Sequence, residues 1–238
     1  MLTFARSLIY LIGQVISSVI ICIAALAFSF SRPVRERIIL FWAQFNIWTL
    51  DKVCGVRYQV TGSENLPNEP SVIVSNHQSA WETLCFQIIF PAQSYVLKRE
   101  LLWIPFFGWG LALNSPIAID RSKKVRALDQ LVRQGMSRLA DGRWLVIFPE
   151  GSRMKPGSPG NFQAGGAMIA SKANANIVPV CHNAGIFWPK RSFLKFPGTI
   201  DVRIGKTIYV EGKKTRDLNS EVEAWIKNEL GSLPQSQN

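Results

Sequence analysis

The chain has 238 residues, 47% of them hydrophobic, and a formal net charge of +11. That length builds one domain with a sizeable core, and the basic balance asks for an anionic partner: nucleic acid, anionic lipid or a phosphorylated substrate. Nucleic acid is the weakest of the three, because the basic residues are interleaved with long aromatic and aliphatic runs and no zinc-finger spacing occurs.

Much of the hydrophobic excess lies in the first fifty residues. Residues 7–31 are 25 positions without a charge, preceded by Arg6 and followed by Arg32, Arg35 and Arg37. Such a run is long enough to cross a bilayer as a helix. Pro33 marks the start of a second helix, whose uncharged part, 38–50, carries Trp42 and Trp48. A cleaved signal peptide is a poor reading, since the run exceeds an ordinary signal core. A spanning helix and a two-helix hairpin lying in one leaflet both fit. One arginine before the run against three after it favours a cytoplasmic face for the rest. The expected division is 1–50 as membrane-anchoring helices and 51–238 as the catalytic domain.

Beyond the anchor, 57–61 alternates as a strand and 62–70 is a turn-rich connector. Residues 71–74 read as a buried strand leading into Asn76-His77-Gln78-Ser79-Ala80-Trp81-Glu82. A helix over 81–90 stops at Pro91, and 94–97 is a short strand followed by Lys98, Arg99 and Glu100. The apolar run 101–113 holds Trp103, Phe106, Phe107 and Trp109. At 13 residues it is too short to span, so it is either core or a surface against lipid or an acyl chain. A strand over 116–119 precedes a helix over 122–140, on which Lys123, Lys124 and Arg126 read as surface charge. The strand 144–148 ends in Pro149-Glu150-Gly151-Ser152-Arg153, with a Gly/Pro-rich loop behind it. A small-residue helix over 162–172, a strand over 177–180, one or two strands within 199–210 and a helix over 219–230 complete the chain, with a frayed tail after Gly231. Alternating helices and strands, several of the strands uniformly apolar, predict an α/β fold: a mostly parallel central sheet flanked by helices, with the N-terminal membrane-associated helix pair attached.

Cys22, Cys54, Cys85 and Cys181 form no CxxC pair and read as free thiols. With only two histidines, no metal site is expected. His77 and Glu82 are five positions apart, about 140° around a regular helix, so they cannot meet within one. They can meet if His77 sits in the turn before a helix that Glu82 begins, a start that Ser75, Asn76 and Ser79 are suited to cap. A carboxylate accepting from one ring nitrogen leaves the other free to take a proton from a hydroxyl. No GxSxG elbow is present, so the hydroxyl belongs to a substrate rather than to a nucleophilic serine. Taken alone, the spacing equally suits a structural turn histidine.

These segments together resemble the lysophosphatidic acid acyltransferase family, the 1-acyl-glycerol-3-phosphate acyltransferases. The resemblance runs from about Arg57 to Gly205 in four ordered blocks: Asn76 to Glu82, Lys98 to Trp109, Phe148 to Arg153 and Ile177 to Val180. It implies His77 as general base and Glu82 as its orienter, in the place of a commoner aspartate. It also implies that Glu150, Gly151, Ser152 and Arg153 bind the glycerol phosphate portion, helped by Lys98 and Arg99. Ser152 stands for the usual threonine. The activity implied is acyl transfer from acyl-CoA or acyl carrier protein, as co-substrate and without a cofactor, to the sn-2 hydroxyl of the lysophospholipid acceptor 1-acyl-sn-glycerol 3-phosphate, giving phosphatidic acid. The alternatives are another lysophospholipid, glycerol 3-phosphate or an aminolipid as acceptor, or a non-catalytic membrane lipid-binding protein. The partner surface implied is a bilayer, the cell inner membrane seen from its cytoplasmic face. Backbone amides near the His77 loop are the nearest candidates to stabilise the oxyanion. His182, at a strand end, reads as structural, and Cys85 as core.

Overall fold

A computed structural model describes residues 1–120 and 124–234. Ser122 and Lys123, the expected helix start, and the final residues 235–238 of the tail lie outside the described residues. Helix α1 (Leu2–Ala27) turns back into α2 (Arg32–Thr49), which has Pro33 in its first turn, where the missing N–H costs nothing. A π turn (Leu50–Cys54) then leads into β1 (Val56–Thr61). β2 (Val72–Ser75), α3 (Trp81–Ile89), β3 (Gln93–Lys98), α4 (Phe107–Leu113), β4 (Ile117–Ile119), α5 (Lys124–Ala140) and β5 (Trp144–Ile147) follow. The last elements are α6 (Gly165–Ala173), β6 (Ile177–His182), α7 (Ala184–Phe187), β7 (Gly198–Ile204) and α8 (Thr215–Ser232).

The sheet order is β1-β7-β6-β2-β5-β3-β4. β6, β2, β5, β3 and β4 run parallel. β7 reverses against β6, and β1 runs alongside β7. The sheet is therefore mixed and mostly parallel. Its central strands β2, β5 and β6 are buried at every position because both faces are covered, and only Ser75 and His182 at their ends are polar. On one face Ile73, Val146 and Val178 pack against Trp81, Cys85 and Phe86 of α3. On the other, Val72, Val74 and Leu145 pack against Leu131 of α5, Ile169 of α6 and Leu218 and Ile226 of α8.

Outside α3 lies the α1–α2 pair. The lower end of α2 is held by Arg143, which is buried at the start of β5, pairs with Glu36 and donates to Ser94 Oγ at 2.9 Å and Asn114 Oδ1 at 3.0 Å. Sequence reading gave this arginine no role. Among the described residues α1 alone is long and apolar enough to cross a membrane; α2 is not.

The apolar run 101–113 is not core. It breaks into a 3-10 turn (Arg99–Trp103) and α4, with Trp103, Ile104, Phe106 and Trp109 exposed. Gly108 makes the break possible: a Cβ there would meet Leu101 O and Leu102 O at 2.6 and 2.5 Å. Two boundaries differ from expectation through tertiary contacts. β6 continues to His182 because β7 pairs with it that far, and α8 starts four residues early, at Thr215, so that Leu218 is buried.

Candidate active site

All five parallel strands point their carboxyl ends the same way, and the candidate residues gather there. β2 ends at Ser75 and α3 begins at Trp81, so His77 lies in the intervening turn and Glu82 in the first helical turn. Oε1 of Glu82 accepts from His77 Nδ1 at 2.7 Å, from the Gln78 amide at 2.9 Å and from the Ser79 amide at 2.8 Å. The carboxylate is fully buried, whereas the His77 side chain keeps 15% of its surface open. Burial alone would raise the Glu82 carboxyl. The neighbouring His182 and His77 rings and the Ser79 amide more than offset it and hold the group at about 2. An ionised carboxylate can only accept, so the proton sits on His77 Nδ1 and Nε2 is left free. The ring stacks on Phe148 at 4.1 Å between centroids, which fixes its plane. None of the three expected residues is the cap itself, which is Ala80; Ser79, one position upstream, accepts from the Trp81 amide through its hydroxyl.

The His77 ring faces a cavity of about 1100 Å³. Its apolar wall includes Cys22 and Ala25 of α1, Ile39 and Ala43 of α2, Leu84 of α3 and Leu111 of α4. Lys98, Gly151, Ser152 and Arg153 also line it, while Arg99 stands outside the wall on the 3-10 turn. Gly151 has φ of 68°, a left-handed turn that glycine adopts without strain. Arg153 is half-buried, and its buried Nε has no hydrogen-bond partner. Glu150 does not reach Arg153. Its Oε2 accepts from the His77 amide at 2.8 Å and its Oε1 from the Gly160 amide at 3.1 Å, so it joins the His77 turn to the loop after β5. The Met154 amide completes this seam by donating to His77 O at 2.7 Å.

An acyltransferase family model matches residues 57–183. A 1-acyl-sn-glycerol-3-phosphate acyltransferase of Pseudomonas aeruginosa is 46% identical over 207 residues, which are 84% of this chain and 80% of the relative. The chain belongs to the 1-acyl-sn-glycerol-3-phosphate acyltransferase family. A 1-acyl-sn-glycerol-3-phosphate acyltransferase of Saccharomyces cerevisiae is 31% identical over 186 residues, 74% of this chain but 59% of that longer protein. The fold is shared with a 1-acyl-sn-glycerophosphate acyltransferase from Thermotoga maritima, whose crystal structure matches with a TM-score of 0.83 at 23% identity, over 98% of this chain and 97% of that one.

Behind the His77–Glu82 pair lies a contact between two residues that sequence reading named but did not bring together. Asn76 and His182 bind each other across the ends of β2 and β6. The Asn76 amide donates to His182 O at 2.8 Å, and its Oδ1 accepts from the His182 amide at 3.0 Å. His182 Nδ1 accepts from the Ala184 amide, so Nε2 carries the proton and donates to Asn76 O at 3.0 Å. His182 is thus structural, as expected, but it stands 4.0 Å from Glu82 Oε1, directly behind the carboxylate. Gln78 adds a further tie, its Oε1 accepting from the Gly185 amide. A polar pair closing two otherwise apolar strands was the only sequence signal for this layer.

Burial pushes His182 below its ordinary 6.5, against the pull of Glu82. In the unfolded chain the ring takes up a proton below about 6.5; in the folded chain it does so only at lower pH. Stability is therefore lost as pH falls from 6.5 toward the folded value. Glu82 is depressed from 4.5 to about 2, so its contribution is present above 4.5 and lost as pH falls toward 2. Glu150, raised by burial, acts in the opposite sense. Melting temperature should be level between about 7 and 8 and decline below about 6.5, with a separate loss at alkaline pH from the buried thiols of Cys54, Cys85 and Cys181, which burial raises. His182→Gln should remove that first decline in a series of thermal melts across pH. An unchanged decline in the variant would assign it to other groups.

Proposed function

We infer that the protein transfers an acyl group from an acyl thioester to the sn-2 hydroxyl of 1-acyl-sn-glycerol 3-phosphate, giving phosphatidic acid. The observation that carries this is the His77–Glu82 pair, with Nε2 free at the wall of a largely apolar cavity. As the acceptor oxygen attacks the thioester carbonyl carbon, Nε2 takes the hydroxyl proton. Glu82 stabilises the imidazolium so formed. The tetrahedral oxyanion collapses, the carbon–sulfur bond breaks, and the thiolate leaves with the proton returned from His77. Ester and free thiol result, and no serine is acylated.

The oxyanion needs donors other than the amides first considered. Those of His77, Gln78 and Ser79 are already engaged by Glu150 and Glu82. Arg153 and Lys98 are assigned to the acceptor phosphate, which sits one carbon from the reacting one and so must bind close to the base. Arginine suits this through its planar fork of donors. Glu150 holds the phosphate loop against the base rather than touching phosphate itself. A panel of acceptors assayed with acyl-CoA and acyl carrier protein tests the substrate. Strong turnover of another lysophospholipid, glycerol 3-phosphate or an aminolipid, beside none of lysophosphatidate, would overturn the acceptor.

Residues 1–50 are assigned as the membrane anchor and 51–238 as the acyltransferase domain. α1 is amphipathic in reverse. Ile9, Ile12, Ile16, Ile20 and Ile23 are exposed, while Ser7, Tyr10, Cys22 and Ala25 are buried against the protein. Both ends are docked. Ser7 Oγ accepts from the Lys195 amide at 2.9 Å and Tyr10 meets Trp188 edge-on, while the other end packs on α4. Docking of both ends of the helix on the same domain supports a helix that lies along the bilayer rather than across it. The pair is therefore proposed to lie in the cytoplasmic leaflet of the inner membrane, with Trp48, Trp103 and Trp109 beside it. Phe30→Cys, in the turn between the helices, should resist an impermeant maleimide added from the periplasmic side. Labelling from that side would establish a spanning helix.

A further inference from the structure

Four basic side chains line the cavity besides His77: Lys98, Arg153, Lys190 and Arg191. They fall into two pairs on opposite sides of the base. In the sheet order β6-β2-β5-β3, His77 follows β2, Arg153 follows β5 and Lys98 ends β3. Lys190 and Arg191 come from the other direction, on the loop that leaves α7 after β6 and returns as β7. Both are exposed at the rim, whereas Arg153 is half-buried beside the His77 turn. Neither Lys190 nor Arg191 forms an ion pair among the described residues. Arg191 also holds φ of 59°, a conformation that a side-chain-bearing residue adopts at a cost and that tends to mark ligand contacts. The turn is fixed by the Ser192 amide on Pro189 O at 3.0 Å, and its flank is anchored by buried Trp188 and Lys195.

The reaction inferred above, on which this rests, brings two phosphate-bearing molecules to one cavity. In the acceptor the phosphate lies one carbon from the reacting position, so its site belongs next to the base. In the donor a long pantetheine arm separates the thioester from the phosphate, so that phosphate must be met at the rim. We propose that Lys190 and Arg191 bind the phosphate end of the phosphopantetheine carrier, the group that coenzyme A and acyl carrier protein share, and that Lys98 and Arg153 keep the acceptor phosphate. The two charged sites set the two substrates on either side of His77, thioester carbon and hydroxyl facing each other across Nε2.

The test uses the full chain in detergent and the unreactive S-hexadecyl thioether of coenzyme A, with binding measured by calorimetry. Lys190→Gln/Arg191→Gly removes both charges, and glycine at 191 suits the observed φ, so the turn is kept. The variant should bind the analogue about tenfold or more weakly, the loss expected for charge-assisted hydrogen bonds. The S-hexadecyl thioether of pantetheine, lacking phosphate, should bind wild type and variant alike, and the KM for lysophosphatidate should stay within about twofold, since that phosphate is bound elsewhere. Equal binding of the coenzyme A analogue by both proteins would overturn the proposal. A rise in lysophosphatidate KM alone would give these residues to the acceptor. Weaker retention on phosphatidylglycerol vesicles with donor binding intact would give them to the bilayer. Donor binding needs no acceptor, so a wild type that binds the analogue yet never acylates lysophosphatidate would sink the acceptor assignment and leave this one standing.

Discussion

His77→Ala is expected to lower turnover of lysophosphatidate by ~10²–10⁴ while leaving a cooperative thermal transition close to that of the wild type. The reasoning separates the two effects. The ring is partly open and contributes one of three donors to Glu82, so its removal still leaves the Gln78 and Ser79 amides on the carboxylate. The fold also does not depend on it for the seam to the phosphate loop, which runs through backbone atoms: its amide to Glu150 and its carbonyl to the Met154 amide. What alanine removes is the free Nε2, the one imidazole nitrogen that the described residues place at that wall and the proposed proton acceptor. Steady-state rates beside circular dichroism and melting would measure both. Retention of full turnover would return His77 to a turn residue and leave the chemistry to another group. Rescue by added imidazole would support the assignment.

How far this could be read from sequence depended on the distance of each contact along the chain. The His77–Glu82 pairing spans five positions and follows from a strand end, a turn and a helix start, all of which have local signals. The loop after β5 was likewise visible from Gly151 and its neighbours. What could not be read is held by contacts far apart in sequence. Asn76 and His182 are 106 positions apart, and Glu150 lies 73 from the amide it binds. The resemblance gave Glu150 to the glycerol phosphate, and nothing local in the sequence announced its two amide partners, which tie the His77 turn to the loop after β5. The reversal of β7 was hidden for a related reason. β7 alternates, with Ile200, Val202 and Ile204 buried and Thr199, Asp201 and Arg203 more open, and such alternation looks the same in either direction, so only the connection through α7 and the 188–197 loop sets which way it runs. The run 101–113 was ambiguous because hydrophobicity does not distinguish a core from a surface that faces lipid or an acyl chain.

Glu82 should show the second large effect, and its variants separate charge from support. Glu82→Ala strips the acceptor from two buried backbone amides as well as from the ring. Each unsatisfied buried donor costs about 1–3 kcal/mol, so this variant should lose about 2–6 kcal/mol, a large share of the 5–15 kcal/mol that holds an ordinary domain together. Glu82→Gln keeps the length and one oxygen, which can still accept from Gln78 and Ser79, so the loop geometry should survive with a smaller loss of stability. The negative charge is gone, however, and nothing then favours the imidazolium that forms as the hydroxyl is deprotonated. Turnover should fall by ~10²–10⁴ in the glutamine variant although it folds. Glu82→Asp restores the charge one methylene further from the ring and should recover part of the rate. Chemical denaturation read beside kcat for the three variants distinguishes the roles. Were Glu82→Gln to keep both its stability and its rate, the carboxylate would be a loop brace, and the tautomer of His77 would have to be set by something other than the charge beside it.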